Sequence, residues 1–342
     1  MAEIIEELSR LNGVSGNEDL VRNYIIEKIS SRADDVRVDS IGNVIALKKG
    51  RKSDKKIMIT SNMDEAGFIV SGITDKGYLK IKNVGNIDPR VIISKKVTIG
   101  NNVKGIIGMK AIHLQQRSER EKTVDVSKIF VDIGASSKAN ALKRVSIGDY
   151  VAFDTEFSQT ESVVSGKALD RAGCVCLLKA INKKYLYDTY FVFCAQKETG
   201  ERGARVAAHR IQPDIALVIN TIESADMYGT DEKNINAHLG EGAILDLMDK
   251  TSIKNNALMQ SINILAEKEN IKIQKKHSIE GISAGGVLQT AAGGVFVAGI
   301  GIPCRYSHTP ICMMNKKDID SASALTKLFL EKIGDISNGI IN

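Results

Sequence analysis

The chain has 342 residues, enough for two modest domains. Its 47 Lys and Arg residues against 41 Asp and Glu leave a formal charge of +6, too small and too scattered to mark a nucleic-acid binder. With 43% hydrophobic and 26% charged residues it is neither disordered nor collagen-like, and no apolar run is long enough to span a bilayer.

Met1 to Leu8 is acidic and amphipathic, unlike the basic start of a secretory signal. Leu8, Leu11 and Val14 read as one short amphipathic helix, broken at Ser15-Gly16-Asn17. Asn17 is positioned to cap a second helix, with Leu20, Ile25, Ile26 and Ile29 as its buried stripe. Val36 to Val38 and Asn43 to Leu47 predict a strand pair. The basic stretch Lys48 to Lys56 reads as a solvated hairpin tip leading into the strand Lys56 to Ser61.

From Ala66 to Val163 short β-branched runs alternate with Gly, Asn and Asp. The runs at Phe68–Val70, Tyr78–Ile81, Val91–Ile93, Lys96–Ile99, Val103–Ile107, Ile129–Ile133 and Tyr150–Phe153 predict a small closed β-domain. Ser137 to Arg144 is its one candidate helix, and Gln115 to Thr123 reads as a charged loop.

After Gly166 strands and helices alternate. Helices are predicted over 172–181, 203–210, 256–270 and 318–333, and buried strands over 190–195, 214–219 and 295–300. This pattern implies an α/β fold with a mainly parallel sheet covered on both faces. The chain therefore divides into an α/β domain, 1–65 and 164–342, interrupted by a β-barrel domain, 66–163. The five cysteines have apolar neighbours and read as reduced thiols of a cytoplasmic protein.

Candidate polar groups fall just beyond predicted strands: Asn62, Asp64 and Glu65, then Lys197 and Glu198, then Asn220, then His308. Asp170 stands at the start of a helix. Ligands bind outside the carboxyl ends of strands in open α/β sheets, so these groups are candidates to converge. His113, His209, His238 and His277 have no grouped carboxylates and read as structural or surface residues. No phosphate-binding glycine loop and no nucleophile elbow is present.

The order of several motifs is recognisable. They are Leu11-Asn12-Gly13-Val14-Ser15-Gly16-Asn17-Glu18, Asp39-Ser40-Ile41-Gly42-Asn43, Met63-Asp64-Glu65-Ala66-Gly67-Phe68, Gly108 to Leu114, Asp132-Ile133-Gly134-Ala135, Gly166-Lys167-Ala168-Leu169-Asp170, Gly200-Glu201-Arg202-Gly203-Ala204 and Pro303 to Pro310. Over nearly its whole length the chain resembles metallopeptidase family forty-two of clan MH. These are the tetrahedral (TET) aminopeptidases, which include glutamyl aminopeptidases and FrvX-like proteins, some labelled endoglucanase or cellulase. The resemblance implies a zinc-aminopeptidase-like catalytic domain, an inserted barrel for dimerisation, and hollow assemblies of up to twelve subunits that trim peptides. It also implies two zinc or cobalt ions bridged by an Asp, and a glutamate as general base.

At the implied site the chain departs from the family pattern. Asp64, Asp170, Glu198 and His308 match, and the last three are the implied ligands of one ion. The two private ligands of the other ion are Asn62 and Asn220, and the general base is Lys197. A residue is also missing between Asp170 and Arg171. An amide oxygen is a poor zinc ligand, and an ammonium has no lone pair with which to accept a proton from water. Lys197 either replaces the lost ion by pairing with Asp170 or Glu198, or points outward.

The expectation is a family member with at most one zinc or cobalt ion, or none, and little or no peptidase activity. Its role would be assembly or peptide binding, as a homo-oligomer (dimer to dodecamer) or with an active paralogue. The alternative is a single-metal aminopeptidase at Asp170, Glu198 and His308, with Glu201 or Glu223 as a substitute base. A glycoside hydrolase ranks last, because that chemistry needs two carboxyls flanking a sugar bond.

Overall fold

The computed structural model describes residues 2–276 and 278–338. An eight-stranded sheet forms its centre, in the order Asp35–Val38, Val44–Lys48, Tyr187–Cys194, Lys52–Asn62, Ile215–Glu223, Phe296–Cys304, Ala243–Leu245, Ile273–Lys275. The four strands from Tyr187–Cys194 to Phe296–Cys304 run parallel, as the apolar runs predict, and antiparallel strands flank them. Buried on both faces, these strands are apolar along most of their length. Helices Ala2–Arg10, Asp19–Ile29, Ala172–Ala180, Asn256–Lys268 and Lys316–Asn338 pack against one face of the sheet. Arg202–Ile211 and Gly285–Gln289 pack against the other.

The second body is a closed antiparallel barrel of six strands: Gly67–Ile73, Leu79–Val84, Phe130–Asp132, Val103–Gly108, Lys96–Ile99 and Tyr150–Phe153. It has its own core, from Phe68 to Phe153. Closure leaves no free strand edge, which suits such short strands. A three-stranded sheet, Ser158–Gln159, Val163–Gly166 and Cys312–Asn315, joins the exit of the barrel to the α/β body.

Several expectations are corrected. Residues 48–56 form no hairpin tip, because Tyr187–Cys194 inserts between Val44–Lys48 and Lys52–Asn62 and pairs with both. The first helix stops at Arg10, so Leu11 and Val14 lie beyond it. Glu18, not Asn17, occupies the cap of the second helix. Leu20 is 55% exposed, and the buried stripe is Val21, Ile25 and Ile29. Val91–Ile93 is a turn that buries Ile92, and the charged loop contains the helical turn Arg117–Arg120. All five cysteines are free and buried. His113, His209 and His238 are exposed, while His277 lies outside the described residues. No helix among the described residues is long and apolar enough to cross a membrane.

Candidate functional site

The carboxyl ends of four parallel strands and one loop of the barrel enclose a cleft of about 930 Å³. Strand Lys52–Asn62 delivers Asn62 and, two residues on, Asp64. The turn after Tyr187–Cys194 delivers Lys197 and Glu198. Strand Ile215–Glu223 carries Asn220 and Glu223, and the loop after Phe296–Cys304 carries His308. The barrel contributes Gly85 and Asn86. At a φ of +86°, Gly85 lies so close to Glu198 that a Cβ there would meet Glu198 Cβ and Oε2 at 2.9 Å.

Asp170 lines the cleft. It sits in the single turn Leu169–Arg171, entered through Ala168 in the left-handed region. The Arg171 side chain turns into the core, where the guanidinium donates to Met63 O at 2.6 Å, Leu11 O at 2.7 Å and Leu8 O at 2.8 Å. Glu65 faces both Arg171 and Lys167, at 3.3 and 3.2 Å, so a wholly buried charge network underlies the cleft. Behind Asp170 the helix Ala172–Ala180 approaches the sheet through Gly173, where a Cβ would fall 2.9 Å from Ile219 O.

Lys197 points inward. Its Nζ lies 3.0 Å from Glu198 Oε1 and 3.5 Å from Asp170 Oδ2. Asn62 Nδ2 donates to the same Asp170 oxygen at 2.7 Å. Asp64 is fully buried, accepts the Glu198 N–H at 2.9 Å through Oδ2, and leaves Oδ1 without a hydrogen-bond partner. Asn220 Oδ1 is likewise buried and unpartnered. His308 is exposed on the cleft wall.

The electrostatics follow from four carboxylates gathered around one ammonium. Burial pushes Lys197 down, but Glu198, Asp170, Glu201 and Asp64 outweigh it and hold the ammonium well above its ordinary range. Burial pushes the Glu198 carboxyl up, yet Lys197 and then His308 leave it below its usual value. Burial, and then the charge of Glu198, raise Asp64 to about 7. Burial raises Glu201 to about 8 against the pull of Lys197.

Of the residues expected from the sequence, Asp170, Lys197, Glu198, Asn220 and His308 line this cleft, Asn62 lines a small pocket beside it, and Asp64 is buried beneath, bonded to the Glu198 N–H. Sequence reasoning did not find the buried charges beneath and beside them. Glu18 accepts the Gln196 N–H at 3.0 Å, and Lys254 is sealed against Asp249 and Asp246 at 2.8 and 3.2 Å. Lys254 lies in the largely polar run Asp249 to Asn256, where nothing in a single sequence marks a lysine as buried.

The sequence profile of the family described as M42 glutamyl aminopeptidase matches residues 42–325. The chain belongs to metallopeptidase family forty-two. A relative from Acetivibrio thermocellus bearing an aminopeptidase name is 36% identical over 97% of this chain and 98% of its own length. A TET aminopeptidase from a marine sediment archaeon superposes with a TM-score of 0.95 at 30% identity, covering 98% of each chain. The TET1 peptidase of Pyrococcus horikoshii, which assembles into a tetrahedron or a large octahedral shell, superposes at 0.87 with 27% identity, over 96% of this chain and 99% of its own.

Family forty-two is metal-dependent, and the residues here do not fit its metal centre. Among the described residues no group of three or more His, Cys, Asp and Glu side chains could hold an ion. Asp170 Oδ2 accepts from the Asn62 amide and faces the Lys197 ammonium. An ammonium has no lone pair with which to ligate, and an amide oxygen is a poor zinc ligand.

Proposed function

We propose that this chain is a family forty-two subunit that has exchanged metal-dependent hydrolysis for peptide binding or assembly in a homo-oligomer. The position of Lys197 carries this reading. Its ammonium supplies positive charge between Asp170 and Glu198, where the family uses a dication, and stands where the family's general base would be. Its raised pKa keeps it protonated at neutral pH, so it cannot accept a proton from water. In this reading the inserted domain, 66–163, serves dimerisation, and the oligomer is homomeric or shared with an active paralogue. Five free, buried thiols support a cytoplasmic location.

The single-metal alternative, with Asp170, Glu198 and His308 as ligands, gains one observation. Glu201 is buried beside Lys197, and a carboxyl raised to about 8 is the kind of group that can exchange a proton near neutrality. It would require Lys197 to swing away from both carboxylates. A sugar hydrolase would need two free carboxyls, whereas Asp170 and Glu198 both engage one ammonium.

Metal analysis after dialysis against zinc or cobalt, with release of N-terminal residues from chromogenic amides, tests the proposal. It expects no stoichiometric ion and no turnover. Two ions per subunit with fast turnover would end it. The combined variant Lys197→Glu, Asn62→His and Asn220→Asp should regain two-ion binding if only ligands were lost.

A further inference from the structure

The strand Phe296–Cys304 ends, and the strand Cys312–Asn315 begins, at a cysteine. Between them runs the loop that carries Tyr306 and His308, both at a φ of +60°. Arg305 and Met313 form an antiparallel pair, with N–H to O distances of 2.9 and 3.1 Å in the two directions. Successive side chains alternate across a strand, so Cys304 and Cys312, which flank that pair diagonally, share a face. The two thiols are close enough to interact, and both line the cleft. The remaining cysteines, Cys174, Cys176 and Cys194, lie in the core and do not line this cleft.

We propose that Cys304 and Cys312 form a reversible dithiol site on the cleft wall that exchanges with small disulfides and closes into an intramolecular disulfide across the base of the His308 loop. The chemistry balances with the small disulfide as oxidant. The Cys312 thiolate attacks one sulfur, breaking the S–S bond and expelling one small thiolate. The Cys304 thiolate then attacks Cys312 Sγ in the mixed disulfide and expels the second. Two protein thiols become one disulfide, one small disulfide becomes two thiols, and the two protein protons pass to the departing thiolates. Cys312 is the entering nucleophile, because it is 8% exposed against 2% for Cys304. The Cys312 thiol beside it and burial also hold Cys304 well above the ordinary thiol range.

Closure would change the loop. In the dithiol form Cys304 Sγ donates to Arg305 O at 3.4 Å, and Cys312 Sγ donates to Tyr306 O at 3.4 Å. A disulfide has no S–H, so both carbonyls lose their donors and the wall bearing His308 must resettle.

The test uses the full chain, incubated folded with 2-hydroxyethyl disulfide, then denatured for thiol titration and digested with trypsin. Trypsin cuts after Arg305, so the two cysteines fall in separate peptides. We expect two of the five thiols to be lost, a cross-linked pair containing Cys304 and Cys312, and full recovery with dithiothreitol. Cys312→Ser should retain its four thiols and yield no cross-link. Any of three results would overturn the proposal: five thiols unchanged, a mixed disulfide that stops at Cys312, or a cross-link between other cysteines.

Discussion

Lys197 is ion-paired to the residue that follows it, Glu198, with Nζ 3.0 Å from Oε1. Adjacent side chains usually diverge. Here they converge because the turn enters through Gln196 in the left-handed region and leaves through Gly200 at a φ of +107°. The same ammonium reaches Asp170, so one cation holds together carboxylates from two separate elements.

Removing that cation should cost stability. Lys197→Met leaves Asp170 and Glu198 partly buried with their main counter-charge gone. The expected loss is about 3 kcal/mol, the low end for breaking a buried pair, because the lysine side chain retains some exposure. Urea unfolding would measure it, and no change would mean that water already neutralises the cluster.

Stability should fall as pH rises through neutrality. Asp64 and Glu201 have folded pKa values of about 7 and 8, above their unfolded values near 4. The folded state therefore binds more protons than the unfolded state between those limits, and unfolding free energy declines with pH there. Glu198 acts in the opposite sense, its contribution being present above its unfolded pKa and lost as pH falls. The expected melting-temperature maximum lies on the acid side of neutrality. Glu201→Gln should flatten the decline between pH 5 and 8, and a parallel profile for the variant would refute the assignment.

Gly85→Ala tests the contact between barrel and cleft. The added Cβ would stand 2.9 Å from Glu198 in a backbone conformation that alanine disfavours. A loss of about 1–3 kcal/mol is expected, measured by chemical denaturation.

Arg171→Met should be more damaging than its volume suggests. It strands the carbonyls of Met63, Leu8 and Leu11 and leaves Glu65 with Lys167 as its ion-pair partner. A cost of about 3–5 kcal/mol is expected, with poor yield of folded protein as a second readout.

Much of this protein was legible in one dimension. Apolar runs at 190–195, 214–219 and 295–300 located three parallel strands, and the change to short β-branched runs after Ala66 located the barrel. The short strands Ala243–Leu245 and Ile273–Lys275 were not legible, because three residues are too few to show a period. The supposed hairpin at Lys48 failed for a different reason. Local turn chemistry cannot show that a strand from residue 187 will insert between two neighbours.

The order of residue types along the chain determined the α/β body and the barrel, because burial periodicity belongs to single segments. The direction of Lys197, the approach of Asp170 to it and the meeting of Cys304 with Cys312 were decided only in three dimensions. Each depends on how the folded backbone brings carboxylates, carbonyls or thiols together, and the energy of a buried charge or donor is set by the neighbours that replace its water.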